Sequence, residues 1–526
     1  MYRILTASKD TYITDKIIDN SFRATDANVG QAATLDLFKL YAESTSGSVT
    51  SPMEISRALI KFDLDPLRRL TGSFLDISHS SFRCTLNLSD VYGGQTCPSN
   101  FKLIVFPLSQ SFDEGMGRDI VSFSDLDSCN FITASTNGGT AVPWFVSGAN
   151  KQGLLHSDNI DIISSGNLLD GNGVVNLWRQ KTFSTGEENL SVDVTTIISA
   201  TLANRMPDHG FRISYSGSQE TDTITRFVKR FGSRNNTSFF NRPQLIVKFN
   251  DSIQDNHSSF LFNVSGSLFL NNFHRGRYAN ILTGTRGKMH GVSGSNSLLL
   301  RLTSGSIGAS GTFFQKIITA SQHQIGQNYI TGIYSASFCV SQFTGTNPPN
   351  RGEIRFNSAL ANEIKNAGSA TFTQIWSSLD QTVAFLTGSL VINTVNRNSF
   401  SNRAKRLLTS ITNMKDEFGI DDKYRFRVFV EDIDRPVRYK KVPFETKSSI
   451  FDRMFYQIKD FKSGKIVIPF DTTYNSTLLS TDKDGMYFDI YMDTLFKGTV
   501  FTVDFLIKAE GSDLIFTDVA AKFRVV

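Results

Sequence analysis

Ser56-Arg57-Ala58-Leu59-Ile60-Lys61-Phe62-Asp63-Leu64-Asp65-Pro66 is the stretch on which the fold turns. Ala58, Ile60, Phe62 and Leu64 recur at every second position, with Arg57, Lys61 and Asp63 between them. A period of two belongs to a strand with one face in a core and the other in water. Asp65-Pro66 ends it, because proline brings no amide hydrogen to a ladder and restricts the residue before it. The stretch is therefore expected to be the middle strand of a β-sandwich built by the first half of the chain.

Outward from this strand the same signals repeat. Asp10-Thr11-Tyr12-Ile13-Thr14 is short, β-branched and aromatic, and Thr34-Leu35-Asp36-Leu37-Phe38-Lys39-Leu40 alternates. Asn28-Val29-Gly30 reads as a turn, its glycine free to take positive φ. Strands are expected at 82–88, 101–106, 190–196, 210–215 and 242–249, with turn clusters at Asn137-Gly138-Gly139 and Asp170-Gly171-Asn172-Gly173. Short strands separated by turns mean a sandwich or jelly roll.

At 526 residues the chain is too long for one core, and about three domains are expected. Asp251-Ser252-Ile253-Gln254-Asp255-Asn256 is polar and reads as the first linker. Beyond it, 260–264 and 268–270 flank Ser265-Gly266 as a hairpin. Further strands are expected at 297–302, 329–340, 370–376 and 382–394, and Gly332 marks a bulge or a close approach. Ala359-Leu360-Ala361-Asn362-Glu363-Ile364-Lys365 is the best short-helix candidate. Residues 406–418 have helical spacing at Leu407, Ile411, Met414 and Phe418, but Thr409, Ser410 and Thr412 tip them to strand. Strands at 424–430, 466–468, 487–492, 500–507, 514–516 and 520–526 make an immunoglobulin-sized terminal module. The expectation is an all-β protein of three consecutive β-sandwich domains. They are jelly-roll-like at 1–250, a second sandwich at 256–400 and immunoglobulin-like at 405–526.

Composition narrows the function. Lys+Arg 54 against Asp+Glu 49 leaves +5, which argues against nucleic acid as the main partner. Phe 44 outnumbers Tyr 14 and Trp 3, so most rings belong in cores or dry interfaces. No stretch has the roughly 18 apolar residues of a membrane span, and residues 1–10 lack a secretory signal. Cys84, Cys97, Cys129 and Cys339 show no C-x-x-C pair and are expected as free thiols made in the cytosol. His79 near Cys84 and Cys97 lacks the tight ligand pairs of a zinc site.

The chemical motifs are thin. Asp482-Lys483-Asp484-Gly485 is like the start of a calcium loop, but its glycine comes two places early and Asp493 stands where a Glu is needed; a tight turn is the simpler reading. Asn176 replaces the third glycine of a dinucleotide fingerprint after Asp170. No G-x-S-x-G, H-E-x-x-H or G-x-x-x-x-G-K-[ST] occurs. The densest basic run is Arg226, Lys229, Arg230, Arg234 and Arg242, interleaved with Phe227, Phe231, Phe239 and Phe240. It can mean single-stranded nucleic acid, docking on an acidic neighbour, or a sandwich face with solvated cations, which is the preferred reading. Arg435-Pro436-Val437-Arg438-Tyr439-Lys440-Lys441 is a second basic loop. Asn-x-Ser/Thr triplets at Asn87, Asn263 and Asn475 are by-products of composition. No residue is put forward as catalytic, cofactor-binding or metal-ligating.

Six of these signals occur in a familiar order: Asp10-Thr11-Tyr12-Ile13, Asn28-Val29-Gly30, Arg57-Ala58-Leu59-Ile60-Lys61-Phe62-Asp63-Leu64, Val192-Asp193-Val194-Thr195, Gly210-Phe211 and Arg242-Pro243-Gln244-Leu245-Ile246-Val247. Over residues 1–250 the chain resembles the DNRLRe-type β-sandwich, related to carbohydrate-binding-module jelly rolls. Such domains occur in surface adhesins, wall-associated proteins and phage particles. The opening also resembles uncharacterised structural proteins of large tailed bacteriophages. The resemblance implies a non-enzymatic virion protein of tail, neck or baseplate, made in the host cytoplasm. Its implied partners are other virion proteins and copies of itself. The competing expectation is a glycan-binding adhesin or receptor-binding protein whose first domain offers Trp144, Trp178 or tyrosines beside carboxylates. A hydrolase carrying these domains would need two facing acids about 5–9 Å apart.

Overall fold

The computed structural model describes the chain except residues 45–51, 72–73, 92–96, 122–126, 169–172, 286–287, 308–311, 342–352, 356–363, 365, 395–405, 434–446, 510–511 and 518–521. It is 51% strand and 6% helix, so the all-β class holds, with sandwich-like and barrel-like sheets. The chain divides into two compact units, one of Tyr2–Arg69 and Phe82–Lys248, the other of Met1, Leu70–Ser81 and Phe249–Val526. No described helix is long and apolar enough to cross a membrane.

The Tyr2–Lys248 unit contains β1 (Tyr2–Thr14), β2 (Thr34–Tyr41), β3 (Met53–Phe62), β4 (Arg83–Leu88), β5 (Phe101–Pro107), β6 (Arg179–Phe183), β7 (Leu190–Asp193), β8 (Phe211–Tyr215), β9 (Arg226–Gly232) and β10 (Gln244–Lys248). They pair in the order β6-β5-β8-β3-β1-β10-β4-β7, with β2 on β3 and β9 on β2. β3 is the branch point. Met53 and Ile55 pair with β2, while Ala58–Ile60 pairs with β1 on one side and β8 on the other. β1 bends at a register shift between Ala7 and Lys9, so its first half pairs β10 and its second β3. β9 returns to the end of β4, where Val91 N–H donates to Arg230 O and Gly232 N–H to Ser89 O, both at 3.1 Å. These bonds nearly close a barrel around Phe101, Phe183, Tyr215 and Phe231. Phe101 and Phe183 stack at 4.8 Å.

The alternation on β3 places Ala58, Ile60 and Phe62 in this core, as expected. Its other face is not in water. Leu59 is fully buried and Arg57 is 3% exposed, because the described residues of 108–178 lie over them as a covering layer. Phe112, Phe131, Trp144 and Ile162 pack there against Leu59 and Ile13. Leu59 was the apolar residue among the supposed polar positions, and it marks the second buried face. Strand β3 stops at Phe62, and Pro66 sits in the first turn of a short helix, α1 (Asp65–Arg68), where proline's missing N–H costs nothing. The strand expected through Thr196 also ends early. After Asp193, α2 (Thr195–Leu202) buries Ile197, Ile198, Thr201 and Leu202, a helical spacing.

Asn28-Val29-Gly30 is a turn, but Gly30 does not have positive φ. A Cβ there would lie 2.0 Å from the Glu114 carbonyl oxygen. Close backbone approach, not left-handed geometry, requires this glycine.

The other unit holds two sheet systems. In the first, β11 (Ser265–Asn271), β12 (Leu298–Ile307), β13 (Thr312–Ile325), β14 (Asn328–Ser341), β15 (Glu353–Arg355), β16 (Ser369–Ser377) and β17 (Ala384–Asn393) pair as β11-β14-β13-β12-β16-β17, with β15 on β14. Leu298, Leu300, Leu302, Tyr334, Phe338, Trp376 and Leu390 form the core. The hairpin expected around Ser265-Gly266 is absent. Both residues lie inside β11, which pairs with β14, and the Phe260 ring covers Gly266. On β14, Gly332 (φ +75) lies where a Cβ would be 2.7 Å from Ala279 N, the close approach its position suggested. Of the 359–365 helix candidate only Ile364 lies among the described residues, helical and buried.

The second system is a sandwich. β18 (Leu407–Ile411), β20 (Lys423–Asp432), β24 (Gly485–Tyr491) and β23 (Ser480–Asp482) form a four-stranded sheet in that order. The six-stranded sheet runs β19 (Glu417–Phe418), β27 (Phe523–Val525), β25 (Val500–Ala509), β21 (Met454–Asp460) and β22 (Ile466–Ile468), with β26 (Ser512–Phe516) on β25. Phe426, Tyr456, Phe488, Phe505 and Phe523 fill its interior, Tyr456 stacking on Phe488 at 4.4 Å. Within 406–418, Leu407–Ile411 and Glu417–Phe418 are strand with a turn between them, and no part is helix. The linker expected at 251–256 is instead docked. Ile253 N–H donates to Ser480 Oγ at 3.1 Å, Gln254 Nε2 to Leu479 O at 2.9 Å, and Thr481 Oγ1 to Asp255 O at 2.9 Å.

Candidate functional site

The basic run supplies the first test of function. Strand β9 and the loop after it carry Arg226, Lys229, Arg230 and Arg234, and each faces a carboxylate from elsewhere in the unit. Arg226 pairs with Asp222 at 2.6 Å, Arg230 with Asp36 at 2.7 Å and Arg234 with Glu114 at 2.5 Å. Lys229 is wholly buried, bonded to Asp90, to Gly186 O at 2.6 Å and to Glu188 O at 2.9 Å, with Phe231 under its ammonium at 4.8 Å. Hydrogen bonding to Arg226 holds the Asp222 carboxyl well below the usual range. These four cations are thus tied to carboxylates, Lys229 and Arg226 out of water and Arg230 and Arg234 partly in it. Phe231 is core, whereas Phe227 is partly exposed beside Phe38, so the two rings do not share one buried face. Arg242 stacks on Phe239 at 4.2 Å. The 435–441 basic loop and Asp170-Gly171-Asn172 lie outside the described residues.

A second network lies beneath the covering layer, on the outer face of β3 and β8. Glu220, on α3 (Ser218–Thr221), accepts from Arg57 Nε at 2.8 Å and Nη2 at 2.9 Å, and lies 3.9 Å from Arg212 Nη2. Arg57 Nη1 donates to Gly148 O at 2.6 Å and Arg212 Nη1 to Ala149 O at 3.1 Å. Burial pushes the Arg212 guanidinium down to about 9, with Arg57 adding to the effect. Asp161 pins the same layer: its carboxylate accepts from Phe145, Val146 and Lys151 N–H and from Gln110 Nε2, all within 3.0 Å. Trp144 is 4% exposed and donates from Nε1 to Asn130 O at 3.0 Å. Trp178 is half-buried against the same cluster. The groove that a glycan-binding first domain would build from Trp144 is therefore core.

The Asp10 and Asn28-Val29-Gly30 signals converge at a third network. Asp10 Oδ2 accepts Arg234 N–H at 2.6 Å, and Asp10 N–H donates to Glu114 Oε1 at 2.9 Å. Asn28 Oδ1 accepts from Gly30 and Gly117 N–H, and its Nδ2 donates to Glu114 O and Cys129 O. Asp10 Oδ1 is buried without a hydrogen-bond partner. Burial raises this carboxyl to about 7, with Glu114 adding and the Arg234 N–H opposing. At 1% exposure it can hold a proton but not reach a substrate.

In the other unit, Tyr278, Tyr456 and Tyr487 line a shallow cleft with Lys423, Arg425, Asp251 and Asp489. The Arg425 guanidinium lies 3.8 Å over the Tyr487 ring and grips Asp489 at 2.8 and 3.0 Å. Burial works against its charge, and Asp489 more than reverses this. Asp482, read as a poor calcium ligand, closes a tight β23–β24 turn. Its Oδ1 accepts Asp484 N–H at 2.9 Å and Arg427 Nη1 at 2.6 Å.

The cysteines are free. Cys84 and Cys129 are fully buried, which raises both thiols strongly. Cys97 donates to Gly186 O at 3.3 Å, and His79 Nδ1 bonds Ser81 Oγ at 2.7 Å, so neither is aimed at Cys84. Among the described residues no group of three or more His, Cys, Asp or Glu could hold a metal. A disulfide-exchange dye should titrate two thiols in the native protein, Cys97 and Cys339, and four after unfolding. Four fast native thiols would contradict the packing around Cys84 and Cys129.

No family model matches this chain, and no curated protein matches it.

What these networks share is chemical. Each brings acids and bases together at distances where they neutralise one another, which builds rigid ties between strands far apart in sequence. Of the Trp144, Trp178 or tyrosines of the glycan-binding expectation, Trp144 is buried and Trp178 half-buried in one cluster. Asp36, Asp90 and Glu114, the partners of Arg230, Lys229 and Arg234, come from distant strands and loops and had no local signal, whereas Asp222 lies four residues before Arg226.

Proposed function

We propose that the chain is a non-enzymatic structural component of a tailed-phage particle, working through its surfaces in tail, neck or baseplate. The resemblance of its first half to adhesin and phage β-sandwiches motivates the reading. The observation that carries it is the covering layer at 108–178. Met116, Val121, Ile132, Phe145, Val146 and Leu154 are exposed there, on a layer fixed from beneath by Asp161, Arg57 and Arg212. Apolar side chains left in water on a rigid support favour a protein neighbour over a small ligand. Buried ion pairs brace the same unit against load without contributing chemistry.

Mass spectrometry of purified particles from cells that make this chain tests the reading. The expected result is a fixed stoichiometry with the other particle proteins, unchanged by repeated gradient purification. A chain that stays in the soluble lysate while complete particles lack it would overturn the proposal.

A further inference from the structure

Strand β17 (Ala384–Asn393) stands at a sheet edge without the features that usually guard one. It ends the order β11-β14-β13-β12-β16-β17 and pairs with β16 from Ser369↔Asn393 to Ser377↔Ala384. Open edges invite further strands, and proteins blunt them with charge, proline or short length. At the two ends of the Tyr2–Lys248 sheet, β6 carries Arg179 and Lys181, and β7 carries Asp193. β17 has ten residues, and the sequence from Gln381 to Thr394 holds no charged residue and no proline.

The hydrogen bonds show which backbone groups are open. Thr394 N–H donates toward β16, to Gly368 O at 3.0 Å. On the other side Asn393 N–H donates to Phe260 O at 3.0 Å, and Asn393 O accepts from Phe262 N–H at 2.8 Å. Backbone direction alternates along an antiparallel strand. Leu386, Gly388, Leu390 and Ile392 therefore point to β16, and Thr387, Ser389 and Val391 point away. Among the described residues nothing bonds the N–H or C=O of these last three. The set is bounded at both ends. Residues 260–262 already take Asn393, and the register shifts at Phe385, between Trp376↔Leu386 and Ser377↔Ala384.

Open groups centred on one residue are what a twofold axis requires. With Ser389 opposite Ser389 of a second copy, Thr387 meets Val391 of that copy and Val391 meets Thr387. Every open N–H and C=O then has a partner. In the same register Leu386, 39% exposed, lies beside Ile392 of the second copy. No like charges meet, because the strand has none. An unrelated strand could use this edge but would gain nothing from its centring.

We propose that two copies of this chain dimerise by antiparallel pairing of β17 about Ser389, which extends the sheet of one copy into the other. The contact is isologous, so it closes at two copies and does not grow. It adds a self-contact to the structural-protein reading but rests on strand geometry alone, so either can fail without the other.

Sedimentation velocity on the full chain tests this. Wild type should pass from monomer to dimer with rising concentration. Ser389→Pro removes the central outward N–H and leaves the ladder with β16 in place. It should raise the dimer dissociation constant roughly a hundredfold, the loss of the two bonds at the axis. Ser389→Lys alters no backbone group at this exposed position and sets two ammoniums face to face. It should be monomeric at low salt, recover part of its association at about 1 M salt, and melt like wild type. Ser389→Cys should cross-link under mild oxidation, as a peptide joined to itself at position 389, because Cα atoms of such a pair lie about 5.5 Å apart. Thr371 is exposed on β16, and Thr371→Cys should not cross-link. A wild type that is monomeric at every concentration overturns the proposal. So do species that keep growing past the dimer, a Ser389→Lys protein that dimerises like wild type at low salt, or a cross-link that forms through position 371 and not 389.

Discussion

Glu220→Ala should destabilise the Tyr2–Lys248 unit by about 3–5 kcal/mol, the cost of removing one partner from a buried ionic group. The carboxylate sits between two guanidiniums, each 3% exposed on the side chain. Without it Arg57 keeps only the Gly148 carbonyl, and Arg212, whose Nε already lacks a partner, loses its nearest negative charge. Burial raises the Glu220 carboxyl and Arg57 more than offsets this, so the group is ionised and its removal unmasks positive charge. In thermal unfolding the variant should melt on the order of 10 °C lower. Glu220→Gln should lose less, because an acceptor for Arg57 remains. Arg57→Met/Glu220→Met should lose less than the two single changes added together, because they are coupled. A Glu220→Ala protein within about 1 kcal/mol of wild type would mean that the network is solvated and the covering layer loosely held.

That network shows where the sequence was readable and where it was not. Ala58, Ile60 and Phe62 were legible because a period of two follows from backbone geometry alone. Leu59 and Arg57 were not, since their burial depends on a layer 50 residues or more away whose sequence has few alternations. The basic run failed for the same reason. Arg230 meets Asp36 across 194 residues and Lys229 meets Asp90 across 139, and local charge density cannot say whether a cation faces water or an acid. Gly30 was legible as a special position, but its cause was not, because close approach to Glu114 requires knowing which loop passes by. The uncharged run from 381 to 394 was countable from the start. That it stands at a sheet edge was not, because edge position depends on the order in which distant strands pair.

Asp10→Asn should stabilise the protein above neutral pH, by up to about 4 kcal/mol, and change little near pH 4. The carboxyl is 1% exposed and raised to about 7 in the folded state, against about 3.9 when unfolded. Between those values the native chain holds a proton that the unfolded chain has released. Stability therefore falls as pH rises from about 4 to about 7 and stays low above that, at about 1.4 kcal/mol per pKa unit. The groups facing Asp10 are Glu114, whose charge adds to the rise, and Arg234, whose N–H and guanidinium oppose it. Asparagine keeps an oxygen for that N–H and needs no proton, and its Nδ2 can turn toward Glu114 Oε1, which already takes the Asp10 N–H. The slope should thus disappear from the variant in this window. A second, weaker slope of the same sign should remain from His257. Its Nδ1 faces Asp255 at 2.7 Å, and its Nε2 lies 2.9 Å from Gln374 Oε1, which also takes the Trp376 indole N–H at 3.4 Å. Both ring nitrogens therefore donate, and the imidazolium is the bonded form. Burial lowers the His257 value but Asp255 outweighs it, so the value is raised; Asp482 and Lys483 are the other charges nearby. A raised histidine contributes stability below its unfolded value of about 6.5 and loses it as pH passes the folded one. Urea titrations of both proteins from pH 4 to 9 separate the two effects. Equal stability of Asp10→Asn and wild type at pH 8, or a wild type that gains stability with rising pH between 4 and 7, would show that Asp10 is ionised and hydrated and that the Asn28–Glu114–Arg234 cluster admits water.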